Sequence, residues 1–328
     1  MQVLSTLAMN TFLSSRMTTM NADIQRLEQQ VATGQKANSF SDLGTQAGIN
    51  IALHNEANTI NTYMENNKIH AVRLSAMDQA MTTIRDAAEA VKNQAYAMTS
   101  TDTERNALIN TAKSAFNSVL NALQTAVGGR ALFSGDATST SPMVSTQYTD
   151  VQANISGLAN PLDASAVETE IQTFYATSSN FYQGGNAIPP TPIDQYQKID
   201  YGILASDQSF QNILQGLATM ALTPEPNGVD TTDAQYTTVI RNAAALLTSG
   251  VGQANALISA NGTNQALVDS TTTHHETTLA MLQSQINDIE QTDVAQAASQ
   301  LSLLRTQLEA TYSMTAQINQ LSLVNYIR

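Results

Sequence analysis

LSAMDQAMTTIRDAAEAVKNQAYAM, residues 74–98, sets Leu74, Met77, Met81, Ile84, Ala88, Val91, Ala95 and Met98 in alternating steps of three and four. That rhythm lays one apolar stripe along a helix. Less regularly, Ile49, Leu53, Ile60 and Met64 carry the stripe backwards. The spacing predicts a helix from about Thr45 to about Met98, on the order of 80 Å long at 1.5 Å per residue. A globular domain seldom holds such a helix; a rod does.

Working outward, Thr99 to Asp102 reads as a turn, with Ser100, Thr101 or Asp102 as N-cap and Glu104 in the first turn of the next helix. That helix carries Leu108, Ala112, Ala115, Val119, Ala122 and Ala126, and Gly128-Gly129 is the expected stop. So short a connection makes the two helices antiparallel. From Ala131 to Gly202 the texture changes to aromatics and prolines, including Pro189-Pro190-Thr191-Pro192. Met143 to Ile155 suits short strands, and Val167 to Phe174 fits strand or helix. Helix returns at Ser206, a candidate N-cap, and runs to about Ala221; a Pro/Gly loop covers Thr223 to Asp230. A last long helical tract starts near Asp233, with Gly250 to Gly252 and Asn261-Gly262 as points where it bends.

Leu279, Leu282, Ile286 and Ile289 make a heptad seam that restarts one residue late at Val294, Ala297, Leu301, Leu304 and Leu308 and continues to Ile318. The offset sits beside Asp293 and marks a joint or a change in winding. The far end is apolar: Leu321, Leu323, Val324, Tyr326 and Ile327. The first segment mirrors it, with Leu4, Leu7, Phe12 and Leu13 ahead of Ile24, Leu27 and Val31, stopping at Gly34. The fold class expected is mainly α: a long antiparallel helical bundle or coiled-coil rod formed by the N- and C-terminal segments, with a small α+β domain inserted between helices. Residues 1–44 with 285–328 form a terminal coiled coil, 45–130 with 203–284 a helical rod, and 131–202 the insertion.

Burying a Leu or Ile is worth roughly 1.5–3 kcal/mol, yet a lone helix pair shields only one stripe and loses the conformational entropy of several dozen residues. The terminal helices are therefore expected to order fully only against neighbours, so that folding is coupled to assembly. The assembly interface expected is Leu4, Leu7, Ile24, Leu27, Val31, Val294, Leu301, Leu304, Leu308, Ile318, Leu321, Leu323, Val324 and Ile327. Head-to-tail contacts of this kind give a ring or an open helix.

Composition narrows the function classes. The 328 residues carry 14 basic and 27 acidic side chains, a net charge of −13, so there is no cationic stripe for nucleic acid and an anionic membrane surface repels the chain. Charged residues are only 12%, aromatics 5%, and cysteine is absent, which removes disulfides and thiolate metal sites. Met1 to Met20 has one basic residue, Arg16, and no run fit for a cleaved leader, and no stretch reaches the roughly 20 apolar residues of a membrane span.

Little here reads as catalysis, and neither metal nor cofactor is expected. His274-His275-Glu276 lacks the four-residue spacing of a zincin, since adjacent side chains point about 100° apart on a helix. His54 and His70 stand alone on a helical stretch and default to packed or solvated positions. Asp288, Glu290 and Asp293 beside the seam offset suit capping or hydrogen bonding between subunits better than acid–base work. Glu168 and Glu170 have no cleft around them. Gly128-Gly129 and Gly184-Gly185 lack the lysine of a phosphate loop, and the Met77, Met81 and Met98 stripe reads as core. Tyr175, Phe181, Tyr182 and Tyr196 fit an exposed glycan patch or, preferably, the insertion's core.

Leu27-Glu28-Gln29-Gln30-Val31-Ala32-Thr33-Gly34-Gln35-Lys36, followed by Asn38 and Ser41-Asp42, resembles the N-terminal signature of the flagellin superfamily. Ile289-Glu290-Gln291-Thr292-Asp293-Val294-Ala295-Gln296-Ala297 resembles the C-terminal one. Within the superfamily, Gly129-Arg130-Ala131-Leu132-Phe133-Ser134-Gly135, the run Leu301 to Tyr312, and Leu321 to Ile327 look most like the hook-associated proteins of the hook–filament junction. The ending Tyr326-Ile327-Arg328 keeps a filament flagellin open, and Phe40-Ser41-Asp42-Leu43-Gly44 lacks the Asp-Pro pair common in junction proteins. The resemblance covers about the first 135 and the last 125 residues.

What it implies is a non-enzymatic subunit exported unfolded through the flagellar type III apparatus to the extracellular flagellum. Its partners would be itself in a ring, the hook-side junction protein, flagellin and an export chaperone, with the insertion facing outward. A filament subunit and a glycan-binding surface variant are the alternatives.

Overall fold

The computed structural model describes residues 6–37, 40–98 and 101–326. Eight helices follow in order among them: α1 Thr6–Thr33, α2 Ala47–Ala97, α3 Asp102–Leu123, α4 Gln147–Ser156, α5 Ala164–Ala176, α6 Gln208–Leu222, α7 Asp233–Glu290 and α8 Val294–Tyr326. Two antiparallel hairpins interrupt them, β1 Ala126–Val127 with β2 Arg130–Ala131 and β3 Thr191–Pro192 with β4 Lys198–Ile199. The fold is mainly α, with small strands confined to the middle of the chain. By its contacts the chain divides into two units, Met1–Asn61 with His275–Arg328, and Thr62–His274.

In the second unit one hydrophobic core draws on every helix present. Met77, Met81, Ile84, Ala88 and Val91 of α2 bury the predicted stripe. They share a cluster with Leu108, Phe116, Val119 and Leu123 of α3, Ile213 and Leu217 of α6, and Ile240 and Leu247 of α7. The start of α3 is capped by one of the residues expected: Thr101 is the N-cap, its hydroxyl accepts from the Glu104 N–H, and the Glu104 carboxylate accepts from the Thr101 N–H. This reciprocal pair satisfies two of the donors that a helix start leaves open. At the other end the sequence reading needs correcting. Helix α3 stops at Leu123 with Gln124 as its C-cap, and Gly128-Gly129 is the turn of the β1–β2 hairpin, where Val127 pairs with Arg130.

Two further corrections lie in the insertion. Most of Met143 to Ile155 is not strand but runs into α4, because Val151 and Ile155 fall four apart and are both buried; only Met143 makes a bridge, with Tyr182. Val167 to Phe174 resolves as helix, Val167 and Ile171 burying the same face of α5. Phe133, Tyr175 and Phe181 belong to the same cluster as the α2 and α3 stripes, so the insertion shares its core with the long helices. The cap of α6 is Asp207, whose Oδ1 accepts from the Ser209 N–H at 2.9 Å.

Helix α7 runs unbroken through Gly250, Gly252 and Gly262. A Cβ on Gly250 would sit 2.7 Å from Ile213 Cγ1 and 2.9 Å from the Ser209 carbonyl oxygen, and one on Gly216 would sit 2.9 Å from Leu247 Cδ2. Glycine lets α6 and α7 approach closely here, and none of these glycines interrupts α7.

The β3–β4 hairpin forms a strap over α2 and α7. Ile193 and Ile199 make a separate small cluster with Leu74 and Val268. Asn67 Nδ2 donates to the Ile193 carbonyl at 3.1 Å, Asn264 Nδ2 to the Asp200 carbonyl at 2.6 Å, and Thr271 Oγ1 to Gln197 Oε1 at 2.9 Å. Asn261 Nδ2 ties α7 to the Leu74 carbonyl of α2 at 2.9 Å. Of the four aromatics weighed as a glycan patch, Tyr175 and Phe181 are fully buried and Tyr182 half-buried, whereas Tyr196 at the strap's tip is 86% exposed.

Candidate assembly interface

In the first unit α1 packs along α8. The two run antiparallel: Gly34 at the end of α1 lies beside Thr292, just ahead of α8, while Glu28 of α1 pairs with Arg305 of α8 at 2.6 Å. On α1, Ile24 and Leu27 are buried and Val31 is half-buried. On α8, Ala297 is buried, Leu301, Leu304 and Leu308 are half-buried, and Val294 is 43% exposed. The Leu7, Ile318, Leu321, Leu323 and Val324 side chains, with Leu4 and Ile327 altogether, lie outside the described residues. A two-helix pair leaves its outer faces uncovered, and Phe12, Leu303, Tyr312 and Met314 are each more than half exposed.

Where the seam changes register, the chain builds a polar joint. Helix α1 ends at Thr33 because Gly34 turns left-handed, with φ of 72°, a conformation that costs other residues energy. Helix α7 ends at Glu290. The two breaks meet as a short antiparallel bridge: the Lys36 N–H donates to the Glu290 carbonyl at 2.6 Å and the Thr292 N–H to the Gly34 carbonyl at 2.9 Å. Lys36 Nζ donates to the Asp288 carbonyl at 2.6 Å, and Gln30 Nε2 to the Lys36 carbonyl at 2.8 Å. Asp293 caps α8, its Oδ1 accepting from the Ala295 and Gln296 N–H groups at 2.9 and 3.0 Å. The capping role expected of this acidic cluster therefore falls to Asp293.

Glu290 has another task. Its Oε1 accepts from Asn50 Nδ2 at 2.7 Å and meets His54 Nε2 at 2.8 Å, both from α2. The Asn50 hydrogen bond first, then the one from His54, hold the Glu290 carboxyl below the usual carboxylate range, against the opposing effect of partial burial. Sequence reading missed Asn50 and His54 because it drew the α2 stripe backwards through Ile49, which is 58% exposed. The buried face instead passes through Asn50, Ala57, Ile60 and Asn67. The available signal was polar spacing: Asn50 and His54 are one helical turn apart and in step with the apolar stripe.

His275 is buried and His274 exposed. Among the described residues no group of three or more histidines and carboxylates is placed to hold a metal ion, and no described helix is long and apolar enough to cross a membrane.

Residues 4–138 match the family model of the bacterial flagellin N-terminal helical region, and residues 245–327 that of the bacterial flagellin C-terminal helical region. The chain belongs to the flagellin family. Its two flagellin regions are the ones that supply α1 and α8, and a chain of this family is a structural component of the flagellum. In fold it is similar to a protein of Vibrio parahaemolyticus described as a flagellar hook-associated protein, at 18% identity and a TM-score of 0.53, over 76% of this chain and 100% of that one. FlgL of Bacillus cereus aligns at 14% identity and a TM-score of 0.38, over 74% of this flagellin-family chain and 99% of its own. No curated protein matches.

Proposed function

We propose that this flagellin-family subunit joins hook to filament, polymerising as a ring through α1 and α8. The observation that carries the reading is the antiparallel α1–α8 pair, which buries one seam through Ile24, Leu27 and Ala297 and leaves Phe12, Leu303, Tyr312 and Met314 uncovered. Neighbouring copies would cover them. In this reading residues 1–44 with 285–328 line the inner tube, 45–130 with 203–284 form the rod, and 131–202 face outward. The subunit leaves the cell unfolded through the flagellar export apparatus, escorted by a chaperone, and touches the hook-side junction protein below and flagellin above. The hook-associated description of the Vibrio protein with the same fold supports the junction role over a filament subunit.

Deleting the gene and imaging the cells tests this. Bare, intact hooks with flagellin lost to the medium are the expected result. Normal filaments that contain this chain in thousands of copies would make it a filament flagellin instead, and filaments unchanged without it would end the proposal.

A further inference from the structure

An asparagine followed by glycine is the pair in which a side-chain amide is most easily attacked by its own backbone, because no Cβ screens the following nitrogen from Cγ. The chain holds two such pairs, Asn227-Gly228 and Asn261-Gly262. Their surroundings are opposite. Asn261 lies inside α7, 1% exposed, with Nδ2 donating to the Leu74 carbonyl at 2.9 Å. The helix commits the Gly262 N–H to the carbonyl four residues back and fixes the backbone of Asn261, so that nitrogen and Cγ stay apart.

Asn227 is exposed in the loop between α6 and α7, and Gly228 after it has φ of 76°. The loop is fastened at Thr231, which is buried; its hydroxyl accepts from the Ala164 N–H at 3.0 Å and donates to the Leu162 carbonyl. Around the asparagine, the N–H groups of Val229, Asp230 and Thr231 converge on Oδ1 at 2.9, 2.8 and 3.1 Å. Three donors on one amide oxygen draw electrons from Cγ and are placed to take up negative charge on that oxygen, as donors do in an oxyanion hole. One contact keeps the nucleophile away: the Gly228 N–H donates to the Thr231 carbonyl at 3.1 Å. An exposed loop opens at small cost, whereas a core helix opens only with much of the fold.

We propose that Asn227 is a deamidation site of the folded protein and that Asn261 is not. When the Gly228–Thr231 hydrogen bond opens, the Gly228 nitrogen gives its proton to water and attacks Cγ. A bond forms between that nitrogen and Cγ, the Cγ–Nδ2 bond breaks, and Nδ2 leaves as ammonia with a proton taken from water. Water then opens the five-membered imide at either carbonyl, leaving aspartate or isoaspartate at 227; nothing is oxidised or reduced. The product has lost the Nδ2 group that donates to Asp230 Oδ2 at 3.3 Å and sets a second carboxylate beside it. In the isoaspartyl form the main chain runs through Cβ and Cγ, and the former Oδ1 becomes a backbone carbonyl oxygen, so the three-donor cradle is broken. The modification therefore adds one negative charge to a loop that already holds Glu225 and Asp230, and loosens it ahead of α7.

The test is to incubate full-length protein at mildly alkaline pH, folded or in guanidinium chloride, and to follow the peptides containing 227 and 261 by mass spectrometry. In denaturant the two sites should convert at rates within about threefold of each other, since only the local sequence then counts. In the folded protein Asn227 is expected to convert faster than Asn261 by about a hundredfold or more, tenfold for each ~1.4 kcal/mol between opening the loop and opening the helix. Asn227→Gln, which would have to close a six-membered ring, should abolish the fast phase of ammonia release from folded protein. Asn227 intact in the folded protein after the denatured sample has converted overturns the proposal, as does Asn261 reacting as fast as Asn227 without denaturant. A fast ammonia phase that survives in Asn227→Gln overturns it too.

Discussion

His70 of α2 is 6% exposed, its Nδ1 has no hydrogen-bond partner, and its ring centre lies 5.6 Å from that of Tyr201 on the strap. Burial first, and then the positive charge of Arg73, push its pKa below the ordinary histidine value. The unfolded chain therefore takes up a proton that the folded chain resists. Stability from this residue is complete above the unfolded pKa of about 6.5 and is lost as pH falls through it. The urea midpoint of the wild type is expected to drop between pH 7.5 and pH 5.5 by more than that of His70→Leu. Arg105 is a second buried base, but a partnered one. It reaches Asp102 at 3.0 Å and Asp233 at 2.6 Å and lies 5.3 Å from the ring centre of Tyr236, whose hydroxyl is pushed up to about 12, chiefly by burial. Because the aspartates stay exposed, Arg105→Ala should cost a moderate amount, about 1–3 kcal/mol in chemical denaturation. Neither residue announces itself in the sequence, where a lone histidine and a lone arginine look like any others. The ring that His70 meets lies 131 positions away, and Asp233, which holds Arg105 beside the nearby Asp102, lies 128.

At the level of elements, tight packing and capping supply the sharpest expectations. Gly250→Ala places a methyl within 3 Å of the α6 backbone, so α6 and α7 must separate; overpacking of this type costs about 1–3 kcal/mol. The same change at Gly252, where a Cβ meets nothing within 4 Å, should be neutral or slightly stabilising, because alanine favours helix by up to about 1 kcal/mol. Comparing the two melting temperatures separates close approach from helix propensity. Thr101→Ala removes the capping box and should cost about 1 kcal/mol. The long helices were legible because their apolar residues repeat in step over many turns, and local chemistry at Thr101 and Glu104 marks a boundary. The insertion was not. Val151 and Ile155 repeat only once in a helix of ten residues, too short for a period to show, and tertiary packing, against α5 and through Tyr148 against Phe116 of α3, decides the conformation. Glycine misled twice for different reasons: Gly128-Gly129 turns a hairpin and does not end α3, and Gly250 admits a neighbouring helix that is invisible in the sequence.

For the molecule as a whole, burial is unevenly distributed. Nearly every large, fully buried side chain lies in Thr62–His274, while α1 and α8 bury a single seam. Limited proteolysis of the monomer is therefore expected to cut α1 and α8 first and to leave a core starting near Thr45 and ending near Asn287. Mass spectrometry of the fragments reads this directly; equal protection of every segment would contradict it. That the chain's ends pair was visible in their apolar, helical texture. The joint between them was visible only as a one-residue slip at Asp293, since its polar contacts link Lys36, Asn50 and His54 to residues more than two hundred positions away.

The strap of residues 191–199 has one more consequence. Its anchors, Ile193 and Ile199, point down into a cluster of their own, and the turn between them ends in a tyrosine that touches almost nothing. A foreign epitope spliced between Gln195 and Tyr196 would thus be displayed on a stalk already clamped at its base. Because the main core takes no side chain from that turn, the host should tolerate the cargo with its melting temperature unchanged.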